Sequence, residues 1–236
     1  MNKYKLWYYY DLILPDVVKH KIRLSRHGSH FPQAYKDTNS VYIHIPKTAG
    51  TSIASAIYKD KGVGHGHYPY YEFLREDEGL YNSSFKFAFV RDPWDRLVSA
   101  YYHLSSPPSW VADRTKLVSE YINARADDFS EFVRLLSVDK RMQRWVHMEP
   151  QSKFVLHEGE VMVDFIGRFE NLEEDVIKVA KALNLNDVKV PHVNKSKDRA
   201  HYSIFYDQYA IDFVRDFYAQ DIDVFEYDYI DQKGCE

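Results

Sequence analysis

Cysteine is almost missing from this chain: among 236 residues only Cys235 carries a thiol, one place from the end. An intrachain disulfide is thereby excluded, and a reducing, cytoplasmic setting is the simplest expectation. No run of about 18 apolar residues occurs, so no membrane-spanning helix is expected. The lysine-bearing aromatic opening, Met1 to Tyr10, is interrupted by Asp11 and Asp16 before a signal-peptide core can form. Positive charge is not in excess either. The formal net charge of −4 speaks against a non-specific nucleic-acid binder, which needs a clustered basic surface, but leaves room for a local basic pocket. There is no glycine-rich Walker loop, no low-complexity linker and no internal repeat.

What is present fits a globular fold. Apolar residues make up 45% and charged residues 28% of the chain, enough for a substantial core and too many charges for a membrane protein. The length suits one catalytic domain spanning residues 1–236. The 20 Tyr and 14 Phe predict a core rich in polar-tipped rings, with stacking platforms as the other use of such residues.

Residues 1–38 lack a sustained period and are expected to form an N-terminal extension or edge element plus loop. The alternation from Val41 to Ile45 predicts a strand, and Pro46-Lys47-Thr48-Ala49-Gly50-Thr51-Ser52 a turn feeding a helix that carries Ile53, Ala56 and Ile57. A second unit follows, with strand Phe85 to Val90, the break Arg91-Asp92-Pro93, and a helix with Leu97, Tyr101 and Leu104 on one face. Residues 105–150 read as a helical substrate-side segment, with capping-box spacing in Asp128-Phe129-Ser130-Glu131. Val161 to Ile166 predicts a third strand. Asn171 then caps a helix whose buried stripe is Val176, Val179, Ala180 and Leu183. Three strand-to-helix units predict an α/β fold with an open, mainly parallel sheet flanked by helices, of P-loop-like type, whose ligand crevice lies beyond the carboxyl ends of the strands.

Lys47 beside small and hydroxylated residues at a helix start offers an anion an ammonium, hydroxyls and unpaired backbone donors. An ordinary polar turn capped by Thr51 or Ser52 is the bland alternative. Lys47 precedes Gly50, the reverse of a Walker loop, which disfavours an ATPase. Arg91 can hold a phosphate through its planar fork, with Ser99 adding a shorter contact, or can instead pair with Asp92 or Asp95. His65-Gly66-His67 also invites a metal reading, but its side chains diverge on a strand and His44, His147, His157 and His192 are scattered, so no metal site is expected.

The stretches Ile45 to Ser52 and Phe89 to Tyr102, in this order, resemble the two donor-binding motifs of the carbohydrate sulfotransferase family (sulfotransferase family 2), which includes heparan sulfate 2-O-sulfotransferase and chondroitin/dermatan sulfotransferases. The similarity continues through His65-Gly66-His67, Phe165 to Glu170 and Pro191 to Ser196, covering roughly residues 41–229. It implies a sulfotransferase fold and transfer of a sulfuryl group from 3′-phosphoadenosine 5′-phosphosulfate (PAPS) to a carbohydrate hydroxyl, with adenosine 3′,5′-bisphosphate (PAP) as product and no metal required. It further implies that the 46–52 loop, Lys47-Thr48-Ala49-Gly50-Thr51-Ser52, binds the 5′-phosphosulfate, with Lys47 stabilising the leaving phosphate, and that Arg91 and Ser99 bind the 3′-phosphate. His67 matches the proposed base of the uronyl 2-O-sulfotransferases. Ser196, Lys197 and Arg199 resemble a segment that closes over the nucleotide, although a solvated turn reads nearly as well. His65, Tyr68 and Tyr70 are acceptor-binding candidates, with Tyr71 and Trp110 nearby in the same reading, though His65 can cap a turn and the rings can simply pack.

The family's animal members are generally anchored Golgi proteins, often with disulfides. Lacking both, this chain is expected to be a compact bacterial or viral cytoplasmic form acting on a glycan precursor, lipid-linked sugar or small glycoside. Two other classes remain open: a magnesium-dependent nucleotide kinase, and an inactive nucleotide- or glycan-binding module.

Overall fold

The computed structural model describes residues 16–59, 63, 66–109, 111–190 and 200–232. Its elements in chain order are α1 (Asp16–His27), α2 (Gln33–Thr38), β1 (Ser40–Ile43), α3 (Gly50–Tyr58), α4 (Tyr70–Glu76), α5 (Glu78–Ser83), β2 (Phe85–Val90), α6 (Pro93–Ser105), α7 (Asp113–Asn123) and α8 (Phe129–Val138). Then follow α9 (Lys140–Gln143), α10 (Ser152–Val155), β3 (Leu156–His157), β4 (Glu160–Val161), β5 (Phe165–Arg168), α11 (Leu172–Ala182), α12 (Gln208–Phe217) and α13 (Ala219–Phe225), with 3₁₀ turns at Phe169–Asn171 and Tyr202–Phe205.

β1, β2 and β5 form a three-stranded parallel sheet with β2 in the centre, Ile43 opposite Ala88 and Val90 opposite Arg168. A continuous apolar run such as Phe87-Ala88-Phe89-Val90, buried throughout, is what a central strand covered on both faces requires. β1 and β2 run into Pro46 and Pro93, so the two loops of interest leave the same, carboxyl edge of the sheet.

The expectation of a fold carried by an open, mainly parallel sheet flanked by helices is corrected here. Among the described residues, helices take 57% and strands only 9%, in five short strands that do not close into a barrel. β3 and β4 stand apart as an antiparallel hairpin. The run from Val161 to Ile166 is not one strand because Asp164 interrupts it: its carboxylate takes the Lys86 backbone N–H at 2.7 Å and the Lys86 ammonium at 2.9 Å. Upstream, Glu158 and Gly159 both adopt positive φ (49° and 90°), the turn that suits a two-residue hairpin. Residues 16–38, read as extension or edge, are two helices joined by a turn.

Helix starts follow their side chains. Asp92 accepts the N–H groups of Trp94 and Asp95 at the start of α6, with Pro93 in the first turn. Asp128 takes the Glu131 N–H at 2.8 Å, and Glu131 reaches back to Asp127 rather than Asp128. Asn171 stands at the start of α11 without capping it through its side chain.

The tyrosines fill the core as polar-tipped rings. Tyr35, Tyr81, Tyr206 and Tyr218 are all buried, and each donates its hydroxyl to a distant backbone carbonyl, of Tyr42, Met162, Trp94 and Met148 respectively. Such bonds are each worth about 1 kcal/mol net, but an unmade one would cost more.

Candidate active site

The loop after β1 departs from ordinary backbone at two residues that carry a Cβ: Lys47 has φ +71° and Ala49 φ +66°. Left-handed conformations at such residues cost about 1–3 kcal/mol each and persist where the surroundings impose them. Alternating left-handed residues curl backbone N–H groups toward one concavity, an arrangement that receives anions. Ala49 is the N-cap of α3, no side chain caps that end, and no acidic residue occupies its first turn. The positive end of the helix macrodipole therefore opens on the same loop. Gly50 is required for space: a Cβ there would stand 1.7 Å from His44 Nε2.

The loop's hydroxyls divide. Thr48 is wholly buried and donates to the Ile45 carbonyl at 2.9 Å, so its side chain braces the turn. Thr51 is exposed at the helix start, whereas Ser52 is buried.

Arg91, at the end of β2, is 8% exposed. Its guanidinium donates to Asp95 Oδ2 through Nε at 2.8 Å, lies 2.6 Å from the same oxygen through a terminal nitrogen, and donates to the Lys47 carbonyl at 3.0 Å. The face of Phe169 lies 3.9 Å away. Burial lowers its pKa to about 10, which still leaves it cationic at neutral pH. Arg91 thus ties the strained loop to α6. Its own backbone is held by Gln151, which accepts the Arg91 N–H at 2.9 Å and donates to the Arg91 carbonyl at 2.8 Å. Gln151 and Ser152 in turn donate their backbone N–H groups to Asp221. Ser99 sits half-buried two turns into α6.

His67 Nδ1 lies 3.1 Å from the His44 carbonyl oxygen. A carbonyl can only accept, so Nδ1 carries the hydrogen and Nε2 keeps its lone pair. Burial, and secondarily the Lys47 charge, lower the His67 pKa to about 4 against the His44 hydrogen bond. The imidazole is neutral at pH 7 and its exposed chemistry is that of an acceptor.

Histidines read as scattered converge on this ring. His44 lies 4.3 Å from His67 between centroids and His147 5.5 Å, while His103 stacks on His147 at 5.2 Å. Burial followed by Lys47 and His67 lowers His103 to about 4. Burial, then the neighbouring histidines and Lys47, hold His147 well below its usual range. The charge of Lys47 reaches three imidazoles, His67, His103 and His147, which gather near the carboxyl edge of the sheet. His103 and His147 did not enter the site on sequence grounds. His103 falls four residues after Ser99 on α6, hence on the same face; His147, in the irregular stretch after α9, gives no such signal.

The other expected residues fare differently. His65, Trp110, Ser196, Lys197 and Arg199 lie outside the described residues. Tyr70 is buried against Tyr71 and His157, and Tyr68 packs its ring 4.1 Å from His30, so both are engaged with the protein interior.

The sequence also matches a family model described as "Sulfotransferase family" over residues 34–228. An uncharacterized protein of Archaeoglobus fulgidus is 30% identical over 127 residues, covering 52% of this chain and 88% of its own. Human carbohydrate sulfotransferase 9 is 28% identical over 232 residues, covering 79% of this chain and 51% of its own. Rat carbohydrate sulfotransferase 11 is 28% identical over 166 residues, covering 56% and 46%. The chain thus spans about half the length of these two sulfotransferases. No solved structure matches.

Proposed function

Because the chain belongs to the sulfotransferase family, we propose that it transfers a sulfuryl group from PAPS to a hydroxyl of a carbohydrate or glycoconjugate, in a cytoplasmic setting consistent with its single cysteine. The observation that carries this reading is the juxtaposition of a neutral imidazole, with Nε2 available, and an anion-receiving loop bearing Lys47. The strained backbone of Lys47 and Ala49 and the uncapped start of α3 fit a phosphosulfate.

When bound, PAPS supplies an electrophilic sulfur and a phosphate leaving group. His67 Nε2 accepts the proton of the acceptor hydroxyl as that oxygen bonds to sulfur. Lys47 and the N–H groups at the start of α3 hold the phosphate oxygen from which sulfur parts, neutralising charge as it develops. Proton, sulfuryl group and leaving phosphate are thereby all accounted for without a metal. A carbohydrate acceptor rests on the printed names of the relatives and on the resemblance of the motifs.

Incubation with sulfur-labelled PAPS and a panel of soluble glycosides, nucleotide sugars and lipid-linked glycans tests the function. A sulfated sugar located by mass spectrometry is the expected product. Exclusive sulfation of phenols or peptide tyrosines overturns the carbohydrate assignment, magnesium-dependent transfer from ATP favours the kinase reading, and donor binding with no product favours an inactive module.

Arg91 is proposed to meet the 3′-phosphate with the donors left after Asp95 and the Lys47 carbonyl are served. Arg91→Ala is expected to weaken PAP binding by about 10- to 100-fold, on the scale of a lost charge-assisted bond. Because Arg91 also braces the loop, the melting temperature should fall as well. Arg91→Lys, which keeps charge but loses the fork, should recover little affinity. Unchanged PAP affinity in both variants by calorimetry removes Arg91 from the donor site.

A further inference from the structure

A second constellation lies away from the donor loop, where α1 and the turn after it meet α4. His20, His30 and Glu72 are each at least nine-tenths buried, being 7%, 5% and 1% exposed, and one ligating atom from each lies within 4.8 Å of the others. His20 Nδ1 is 2.5 Å from Glu72 Oε2. The two imidazoles stand 5.5 Å apart between centroids. His30 Nδ1 lies 2.7 Å from Glu76 Oε2, and Nε2 has no hydrogen-bond partner among the described residues. Glu76 also accepts the His30 backbone N–H at 2.9 Å and a hydrogen bond from Ser29, which fixes the turn that carries His30.

Two imidazoles and a carboxylate converging in a buried volume form a donor set suited to a metal ion, with Nε2 of His30 left over after Nδ1 meets Glu76. From this convergence we propose that His20, His30 and Glu72 bind a divalent first-row transition ion, zinc by the chemistry of the set, as a structural site joining α1 to α4. Mixed nitrogen and oxygen donors favour such an ion over calcium or magnesium, which prefer all-oxygen shells. The 2.5 Å contact between His20 and Glu72 would open to ligand spacing on binding. The apolar wall fits a structural site as well: Tyr68 lies 4.1 Å and Phe73 5.9 Å from the His30 ring, keeping water from the ligands. Tyr68 directly follows His67, so the ion would also steady the segment that presents the catalytic imidazole. The site is independent of the sulfuryl-transfer chemistry, which needs no metal.

The test is made on the full chain, without a histidine tag, expressed with zinc in the medium and desalted before elemental analysis. About one zinc per chain is expected in the wild type, and less than about one tenth of that in His30→Ala and Glu72→Gln, each of which deletes a ligand. Stripping the wild type with 1,10-phenanthroline should lower its unfolding midpoint and added zinc should restore it, whereas both variants should ignore zinc. Equal metal content in a folded variant and the wild type places the ion elsewhere and overturns the proposal. If the variants do not fold, the wild type decides alone: no stoichiometric first-row metal, or a midpoint indifferent to chelation and zinc, overturns it equally.

Discussion

Lys47→Ala is expected to slow sulfuryl transfer by about 10²- to 10³-fold, the loss typical of removing one preorganised donor from a developing oxyanion, while leaving the fold intact. Lys47 leaves the sheet at the carboxyl end of β1, its backbone is held left-handed at φ +71° and its carbonyl is clamped by Arg91. Its side chain therefore springs from a backbone position fixed before substrate arrives. Because the leaving phosphate gains charge only as sulfur departs, the lysine acts more strongly on the transition state than on the bound donor, so the defect should fall mainly on turnover and less on affinity. A second consequence is electrostatic. The Lys47 charge lowers the basicity of His67, His103 and His147, so in Lys47→Ala these imidazoles should titrate at higher pH, visible by NMR. An unchanged single-turnover rate at saturating donor and acceptor removes Lys47 from the chemical step.

Much of the backbone around these loops was legible from local signals. Pro93 after Asp92 marked the start of α6, the aromatic run Phe85 to Val90 marked β2 to the residue, and the small residues after Lys47 marked the turn into α3. What escaped depended on contacts distant in sequence. Asp164 splits a strand only because Lys86 lies across from it on β2. The buried residues of the helices between β2 and β3 join the same core as the strands, an arrangement no local period announces. Arg91 read as a phosphate ligand or as a partner of Asp92 or Asp95; the Asp95 pair forms, and the contact that no spacing encodes is the one to the Lys47 carbonyl. The histidines make the point most sharply. His44, His67, His103 and His147 come from four separate segments, and nothing local to any one of them announces the other three.

His67→Ala is expected to retain PAP binding and lose about 10²- to 10⁴-fold in acceptor turnover, the range of a positioned acid–base group. The His44 carbonyl fixes the tautomer, so the variant deletes the Nε2 acceptor while leaving the donor loop in place. A pKa of about 4 makes a weak base, but part of that depression comes from Lys47. An anionic donor seated on Lys47 offsets this, lifting His67 toward the pH at which proton transfer is most effective. The acid limb of kcat should therefore lie at higher pH than that of kcat/KM for the donor, since the first reports the complex and the second the free enzyme. Fold must be followed in parallel. His67 and His103 titrate near 4 in the folded chain against about 6.5 unfolded, so the unfolded state binds more protons between those values. Stability is complete above that window and is lost as pH falls through it. Measured above about pH 6.5, where this loss is absent, near-normal single-turnover transfer by His67→Ala at saturating acceptor would show that another group takes the proton, and His103, next along the chain of rings through His147, would be the residue to replace.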